Sequence, residues 1–253
     1  MSSPAFSEKI FLASRTGVVA DEGVMTVKGT INKTLILLLL AVLGASYTWR
    51  LAYNTMAAET GNIAALTPYM LGGVIGGLVF ALIAIFSPRN SRWAAPLYAV
   101  AEGLALGAIS AIYNLQTQGI VFNAVGLTFL VLLIMLVVYR SGWVKVNDKL
   151  RKGIVAATLA VALFYLLTWI ISLFMPAIRD FMAGSSPLSI VISLVIVGIA
   201  AFNFLMDFDF IEKGAAMGSP KYMEWYAGFG LMLTLVWLYL EILRLLSKVS
   251  SRN

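Results

Sequence analysis

The residues of this chain that could do chemistry are acids set in or beside long apolar runs. Asp207 and Asp209 close one apolar run, Glu241 interrupts the next one, and Glu102 lies inside an earlier one. Charged side chains are costly in a lipid bilayer, and where they occur they commonly bind ions or protons. We therefore predict that these four acids contribute to an ion- or proton-binding site.

The spacing of the two aspartates indicates that they point in different directions. Asn203 and Asp207 are four residues apart and share a helix face, so both can face the interior of a helical bundle. Asp209 points about 200° away from Asp207, so the two aspartates alone do not form one bidentate site. A local ion pair between Asp209 and Lys213, four residues further on, is the alternative for this acid.

The environment of Glu241 depends on how the last apolar segment folds. Arg244, three residues on, can neutralise Glu241 locally. If the helix is unbroken from Tyr222, Glu241 lies near its far end, and Glu224 becomes the alternative partner of the two aspartates. If the helix breaks near Gly228, Glu241 lies about midway along the membrane portion and can approach the aspartates.

Glu102 lies deep in its apolar segment. It follows Trp93 by nine residues, which places it about 13 Å from that end and near the middle of a membrane. One interpretation is a protonated side chain that is hydrogen-bonded to Tyr98 or to another helix. The other is a relay for cations or protons.

Composition identifies an integral membrane protein and restricts its chemistry. The chain has 253 residues, of which 60% are hydrophobic and only 12% are charged, about half the charge that soluble domains carry. It contains neither His nor Cys, which excludes thiol chemistry, zinc or haem sites and histidine-based catalysis. We expect no enzyme activity and no cofactor. Hard cations or protons suit the remaining carboxylates, whereas soft metals do not.

Seven apolar segments are long enough to cross a bilayer, for which about 20 residues are needed. A polar segment, residues 1–32, precedes a membrane domain of residues 33–253. Glycines at four-residue spacing in the second and third spans, such as Gly73 with Gly77 and Gly103 with Gly107, predict close helix packing. The predicted spans cover residues 34–53, 68–86, 93–113, 120–139, 154–175 and 188–205, with the last between residues 222 and 249.

The basic residues predict how these spans are oriented. Lys and Arg are concentrated before the first span and after the second, fourth and sixth, as the positive-inside rule requires of cytoplasmic segments. This distribution predicts a cytoplasmic N-terminus. It also accounts for the net charge of +6 without a nucleic-acid partner, so the expected partner is the lipid bilayer.

Several motifs resemble the transmembrane Bax inhibitor motif family, and particularly its bacterial YccA-like branch. The resemblance extends from about Met25 to the C-terminus. It is carried by the runs 25–34 (MTVKGTINKT), 96–107 (PLYAVAEGLALG), 209–214 (DFIEKG), 220–226 (PKYMEWY) and 239–248 (YLEILRLLSK).

The resemblance implies a seven-helix bundle with a central last helix and a pH-sensitive calcium leak. In the family, one acid from each of the last two helices shares a proton, and the pair governs opening. By motif position these acids are Asp209, with Asp207 adjacent, and Glu241, which also become the tentative calcium ligands. A basic residue after the second helix latches the pair, a role implied here for Arg89 or Arg92. A bacterial inner membrane is the implied location.

Other functions are compatible with buried acids. A non-conducting membrane protein that modulates a protease or stress-response partner would use them only to stabilise the bundle. A proton-coupled carrier normally has paired broken spans, which the sequence does not show. An intramembrane aspartyl protease is disfavoured because its Gly-x-Gly-Asp and Tyr-Asp signatures are missing.

Overall fold

A computed structural model describes residues 23–57 and 63–252, and it confirms the predicted all-α membrane architecture. Seven helices are long and apolar enough to cross a membrane. We number them α1 to α7: Val27–Ala57, Thr67–Phe86, Ser91–Gln116, Ile120–Arg140, Asp148–Ser172, Pro187–Ala216 and Met223–Ser250. A shorter helix, Pro176–Ala183, precedes α6, and 3₁₀ turns precede α2 and α3.

Several helices extend beyond their predicted apolar cores. Helix α1 begins at Val27, within the segment predicted to be polar, of which residues 1–22 lie outside the described part of the chain. Helix α5 begins at Asp148, where the Asn147 side chain caps it by accepting the Leu150 N–H at 2.8 Å. Helix α6 continues to Ala216, so Asp207 and Asp209 lie within a helix rather than at its end.

Helix α7 is unbroken over Met223–Ser250, so the break considered near Gly228 does not form. The helix is also the most buried of the seven spans, as expected of a central last helix. In its most apolar stretch of 18 residues, 56% are buried. Glu241 lies 18 residues after Met223, about 27 Å along this helix.

The helices fall into two compact units. Of the described residues, unit 1 contains 117–209 and 234–252, and therefore α4, α5, most of α6 and the second part of α7. Unit 2 contains the described residues 23–57, 63–116 and 210–233, and therefore α1 to α3 with the end of α6 and the start of α7. Asp207, Asp209 and Glu241, the candidate site acids of the last two spans, all belong to unit 1.

Unit 2 is built on close contacts between helix backbones, as the glycine spacing predicts. A Cβ atom added to Gly103 would clash with the backbone of Ala41 on α1. One added to Gly73 on α2 would lie 2.6 Å from the Ala101 carbonyl oxygen of α3. Only glycine permits these helices to approach so closely.

Unit 1 has a different interior, because α5 offers it polar as well as apolar side chains. Ile154 and Val161 are the buried apolar residues of α5. Arg151, Thr158 and Tyr165 follow one another at seven-residue spacing on the same side of the helix. Much of the rest of α5 is apolar and exposed, as a lipid-facing surface requires.

Candidate ion and proton site

Unit 1 contains a set of polar side chains on three helices, which we call the polar stripe. It joins three helices through side-chain contacts. Its members are Arg151, Thr158 and Tyr165 on α5; Ser189, Ser193, Asn203, Asp207 and Asp209 on α6; and Thr234, Glu241, Arg244 and Lys248 on α7.

Asp209 forms an ion pair with Arg151. The Arg151 Nη2 donates to the Asp209 Oδ2 at 2.6 Å, and both side chains are partly buried. A charge-assisted hydrogen bond of this kind is stronger than a neutral one. The pair therefore ties the start of α5 to α6 and neutralises Asp209.

One turn and a half before Asp209, Asn203 makes a neutral link between the same two helices. Its Nδ2 donates to the Thr158 Oγ1 at 2.9 Å and to the carbonyl oxygen of Ile199 at 2.9 Å. The amide donors are thus satisfied by α5 and by the preceding turn of α6. This contact fixes how α5 and α6 are rotated against each other.

Asp207 is the least satisfied acid of the polar stripe. It is only 2% exposed, and its carboxylate is hydrogen-bonded to the Thr234 side chain of α7. Its second oxygen, Oδ2, is buried without a hydrogen-bond partner among the described residues. Leaving a buried polar atom unpaired costs about 1–3 kcal/mol. Either a proton or a bound cation would relieve that cost.

Glu241 is held in a trio with Tyr165 and Arg244. The Tyr165 hydroxyl donates to the carboxylate at 2.8 Å, and the Arg244 Nη1 donates to both oxygens at 3.0 and 3.1 Å. Arg244 also donates to the Tyr165 hydroxyl and lies over the Tyr165 ring, 5.0 Å from its centroid. The local Glu241–Arg244 pair predicted from the three-residue spacing is therefore present.

The positions along α7 separate Asp207 from Glu241. Asp207 is level with Thr234, and Glu241 follows Thr234 by seven residues, or about 10 Å along the helix. A hydrogen-bonded link over that distance needs intervening groups. Within the described ranges, no group of three or more acids is placed to hold a metal ion. A shared proton and a calcium site at Asp209 and Glu241 stay predictions.

Glu102 lies in unit 2, beside the glycine-rich face of α2. Its Oε2 is 2.7 Å from the position that a Cβ of Gly77 would occupy, so the glycine leaves room for the carboxylate. Tyr98 is buried and packs edge-on against Phe229, with 5.1 Å between the centroids of the two rings. Among the side chains that the structure describes, Glu102 and Tyr98 are not hydrogen-bonded to each other. The relay function of Glu102 stays a prediction.

Glu224, the alternative partner in the sequence analysis, holds the start of α1. Its Oε1 accepts the Thr26 N–H at 3.1 Å and the Thr26 hydroxyl at 2.9 Å. The Thr26 hydroxyl oxygen in turn accepts the Gly29 N–H at 2.9 Å and caps the helix. Glu224 is almost fully buried, and its charge lies at the positive end of α1, where an acid is stabilising.

A family model described as Bax inhibitor 1 like matches residues 3–251, nearly the whole chain. The chain belongs to the Bax inhibitor 1-like family. This finding confirms the resemblance drawn from the motifs. No curated protein and no solved structure matches the chain significantly.

Two of the motifs that carry the Bax inhibitor resemblance meet in unit 2. Besides the Thr26–Glu224 contacts, the Met25 N–H donates to the Ser219 carbonyl at 2.7 Å, and the Lys221 N–H donates to the Gly23 carbonyl at 3.2 Å. Hydrogen bonds thus connect the motif around residues 25–34 to the motif around residues 220–226. Together the two motifs position the start of α1 against the start of α7.

The basic residues implied as the latch of this Bax inhibitor-like protein also lie in unit 2. Arg89 is in the turn Pro88–Asn90, Arg92 is the second residue of α3, and both are exposed. Their role as a latch stays a prediction. The structure adds Arg151 as a basic partner of Asp209.

Several members of the polar stripe are not predicted by the sequence. The positive-inside rule explains Arg151 only as one of the basic residues after the fourth span, and no contact is predicted for Tyr165, Thr234 or Lys248. One signal was available: Arg151, Thr158 and Tyr165 recur at seven-residue spacing through an otherwise apolar segment. That spacing places the three side chains on one face, which then has to find polar partners.

Proposed function

We propose that the protein is a pH-sensitive leak channel for calcium or other cations, controlled by a pair of acids on α6 and α7, with Asp207 as the titrating group. The observation that carries the proposal is Asp207, a buried carboxylate with one oxygen left unpaired among the described residues, at the contact between α6 and α7. The proposal involves neither catalysis nor a cofactor. The pH-sensitive calcium leak implied by the family resemblance supports it.

The charges of the polar stripe suggest how protons would control cations. Arg151 neutralises Asp209 and Arg244 neutralises Glu241, so the ionisation of Asp207 decides whether the neighbourhood attracts a cation. An ionised Asp207 supplies a negative charge and a free acceptor oxygen, as a hard cation requires. A protonated Asp207 supplies neither. We therefore expect cation flux to rise as pH rises through the titration of Asp207.

Glu241 is proposed to be the acid of the pair on α7, and its role is to keep the helices in place. Tyr165 and Arg244 donate to its carboxylate and hold α5 against α7. We therefore expect the ionisation of Asp207 to change the charge of the polar stripe, while Glu241 maintains the packing of α5 against α7.

The first experiment measures calcium flux into liposomes that contain the purified protein, over a series of pH values. The proposal predicts flux above that of empty liposomes, increasing with pH. The matched control for later variants is Asp148→Asn, which makes the same chemical change at an exposed acid outside the polar stripe. No flux above background at any pH would contradict the proposal.

The alternative is a non-conducting membrane protein that modulates a protease or stress-response partner. Arg151 neutralises Asp209, and Arg244 neutralises Glu241. These ion pairs favour the alternative, because acids that are already neutralised can hold helices together without binding a passing ion. The same liposome measurement separates the two functions. A well-folded protein that passes no cation supports the modulator.

We also propose a bacterial inner membrane as the location, with the N-terminus in the cytoplasm. The support for the location is the resemblance to the bacterial branch of the family. The support for the orientation is the concentration of Lys and Arg around the start of α1, between α2 and α3, between α4 and α5, and between the last turns of α6 and α7. Reporter domains fused after α2 and after α3 test the orientation. The proposal predicts a cytoplasmic signal from the first fusion and an external signal from the second, and the reverse pattern would contradict it.

A further inference from the structure

Lys248 occupies an unusual position near the end of α7. A lysine close to the end of a membrane helix normally extends its ammonium group towards water. Lys248 is instead 2% exposed, although α7 ends only two residues later, at Ser250. Among the described side chains, no carboxylate lies within ion-pair distance of its ammonium group. Within the described part of the chain, this ammonium group is therefore buried without a direct counter-charge, which is costly.

The ammonium group is bound by oxygen atoms of α6. The Lys248 Nζ donates to the Ser193 Oγ at 2.8 Å and to the Ser189 carbonyl oxygen at 3.4 Å. Both serines are buried. They belong to the first two turns of α6, the positive end of the helix, where a cation is further disfavoured. Hydroxyl and carbonyl oxygens are ligands that proteins use for hard cations.

The position of this contact in the polar stripe indicates what it does. Lys248 follows Glu241 by seven residues and Arg244 by four, so the three side chains lie along one side of α7. The oxygens that hold Lys248 therefore lie beyond Glu241, on the side away from Asp207. Those oxygens are already occupied by the chain's own cation.

We propose that the Ser189 carbonyl and the Ser193 hydroxyl form a site for a monovalent, ammonium-like cation, and that Lys248 fills it as a tethered blocker. The site closes the Ser189 end of the polar stripe to passing cations. Its ligand class is a primary ammonium group, with hydrogen-bond donors that match the two oxygens. The blocking role rests on the cation leak proposed above, whereas the binding site does not.

The binding site is tested by restoring the missing ammonium group to Lys248→Ala. The probe is n-propylammonium, which has the three carbons and the ammonium group that this substitution removes. We expect it to raise the Tm of Lys248→Ala by several degrees at about a hundred times its Kd. Tetramethylammonium, a cation without N–H donors, should not do so. Lys248→Met, which fills the space with a neutral side chain, and the wild-type protein should not respond to n-propylammonium.

An equal response of all three proteins to both cations would overturn the binding site. A second variant keeps the test decisive if Lys248→Ala does not fold. Ser193→Ala retains the lysine and removes its nearer oxygen. We expect Lys248 in that variant to react several-fold faster with an amine-reactive ester than in the wild type, with exposed Lys149 as the internal reference. Unchanged labelling of Lys248 would contradict the proposal.

The blocking role is tested by cation flux in liposomes. Lys248→Ala is expected to pass cations several-fold faster than the wild type, and n-propylammonium should return the flux towards the wild-type rate. Lys248→Ala that is stabilised by n-propylammonium but has wild-type flux would overturn the blocking role alone. If neither the wild type nor any variant passes cations, both the leak and the blocking role fail. The Tm measurement still decides the binding site.

Discussion

The two units of this protein use buried acids in different ways. In unit 2, one oxygen of Glu224 accepts two hydrogen bonds from Thr26, and the acid lies at the positive end of α1. In unit 1, Asp207 is equally buried, yet one of its oxygens has no partner among the described residues. A buried acid whose oxygens are hydrogen-bonded stabilises a fold. A buried acid with an unpaired oxygen lowers the stability, and such an exception calls for an explanation, of which a function is one. Under the proposed function, Asp207 of unit 1 is therefore the titrating acid, whereas Glu224 of unit 2 stabilises the fold.

The largest effect is expected from a substitution that disrupts the close packing of helix backbones in unit 2. Gly103→Val on α3 places side-chain atoms against the backbone of Ala41, which has no flexible side chain to move aside. We expect the loss of stability to exceed the roughly 3 kcal/mol at the upper end of ordinary overpacking, because the clash is with backbone, and we expect little folded protein in detergent. The measurement is the Tm and the yield of monodisperse protein. Gly72→Val is the matched control, because a Cβ added to Gly72 has no described atom within 4 Å.

A smaller effect is expected from breaking the ion pair that joins α5 to α6. Arg151→Met leaves the partly buried Asp209 without this partner, so we expect a loss of about 1–3 kcal/mol. Asp209→Asn removes the charge, and the double variant should be more stable than the sum of the single losses predicts. The free energies of unfolding of the four proteins form a double-mutant cycle. Strict additivity would show that the pair contributes nothing.

The smallest effect concerns the contact between Glu224 and the start of α1. Glu224→Gln keeps an acceptor oxygen for Thr26 but removes the charge at the helix terminus, which is worth about 0.3–1 kcal/mol. We expect faster amide hydrogen exchange in the first turn of α1 and an unchanged pH profile of flux. A changed pH profile would place a titrating acid in unit 2 and remove the contrast between the units.

The number and type of the membrane helices could be predicted because a bilayer demands long apolar segments. The predicted ends of the helices are less accurate, because hydropathy does not show that a helix continues through polar residues. Helix α6 thus continues through Asp207 and Asp209 to Ala216, and α1 begins at Val27. The Glu241–Arg244 pair was predictable because both residues lie on one helix at a fixed spacing.

Contacts between helices could not be predicted in the same way. The pairing of Arg151 with Asp209, and of Lys248 with Ser193, depends on how each helix is rotated and shifted against its neighbour. That register follows from the packing of many side chains at once. Seven-residue spacing on α5 indicated which residues share a face, but it did not indicate which residues on other helices they meet.

Asp207 offers the most direct test of the account. Asp207→Asn retains a hydrogen-bonding side chain next to Thr234 but cannot ionise, so the account predicts calcium flux that no longer rises with pH. Asp148→Asn, measured in parallel liposomes, should retain the wild-type dependence on pH. If Asp207→Asn also retains the wild-type dependence, Asp207 is not the titrating group and the proposed control of cation flux is wrong.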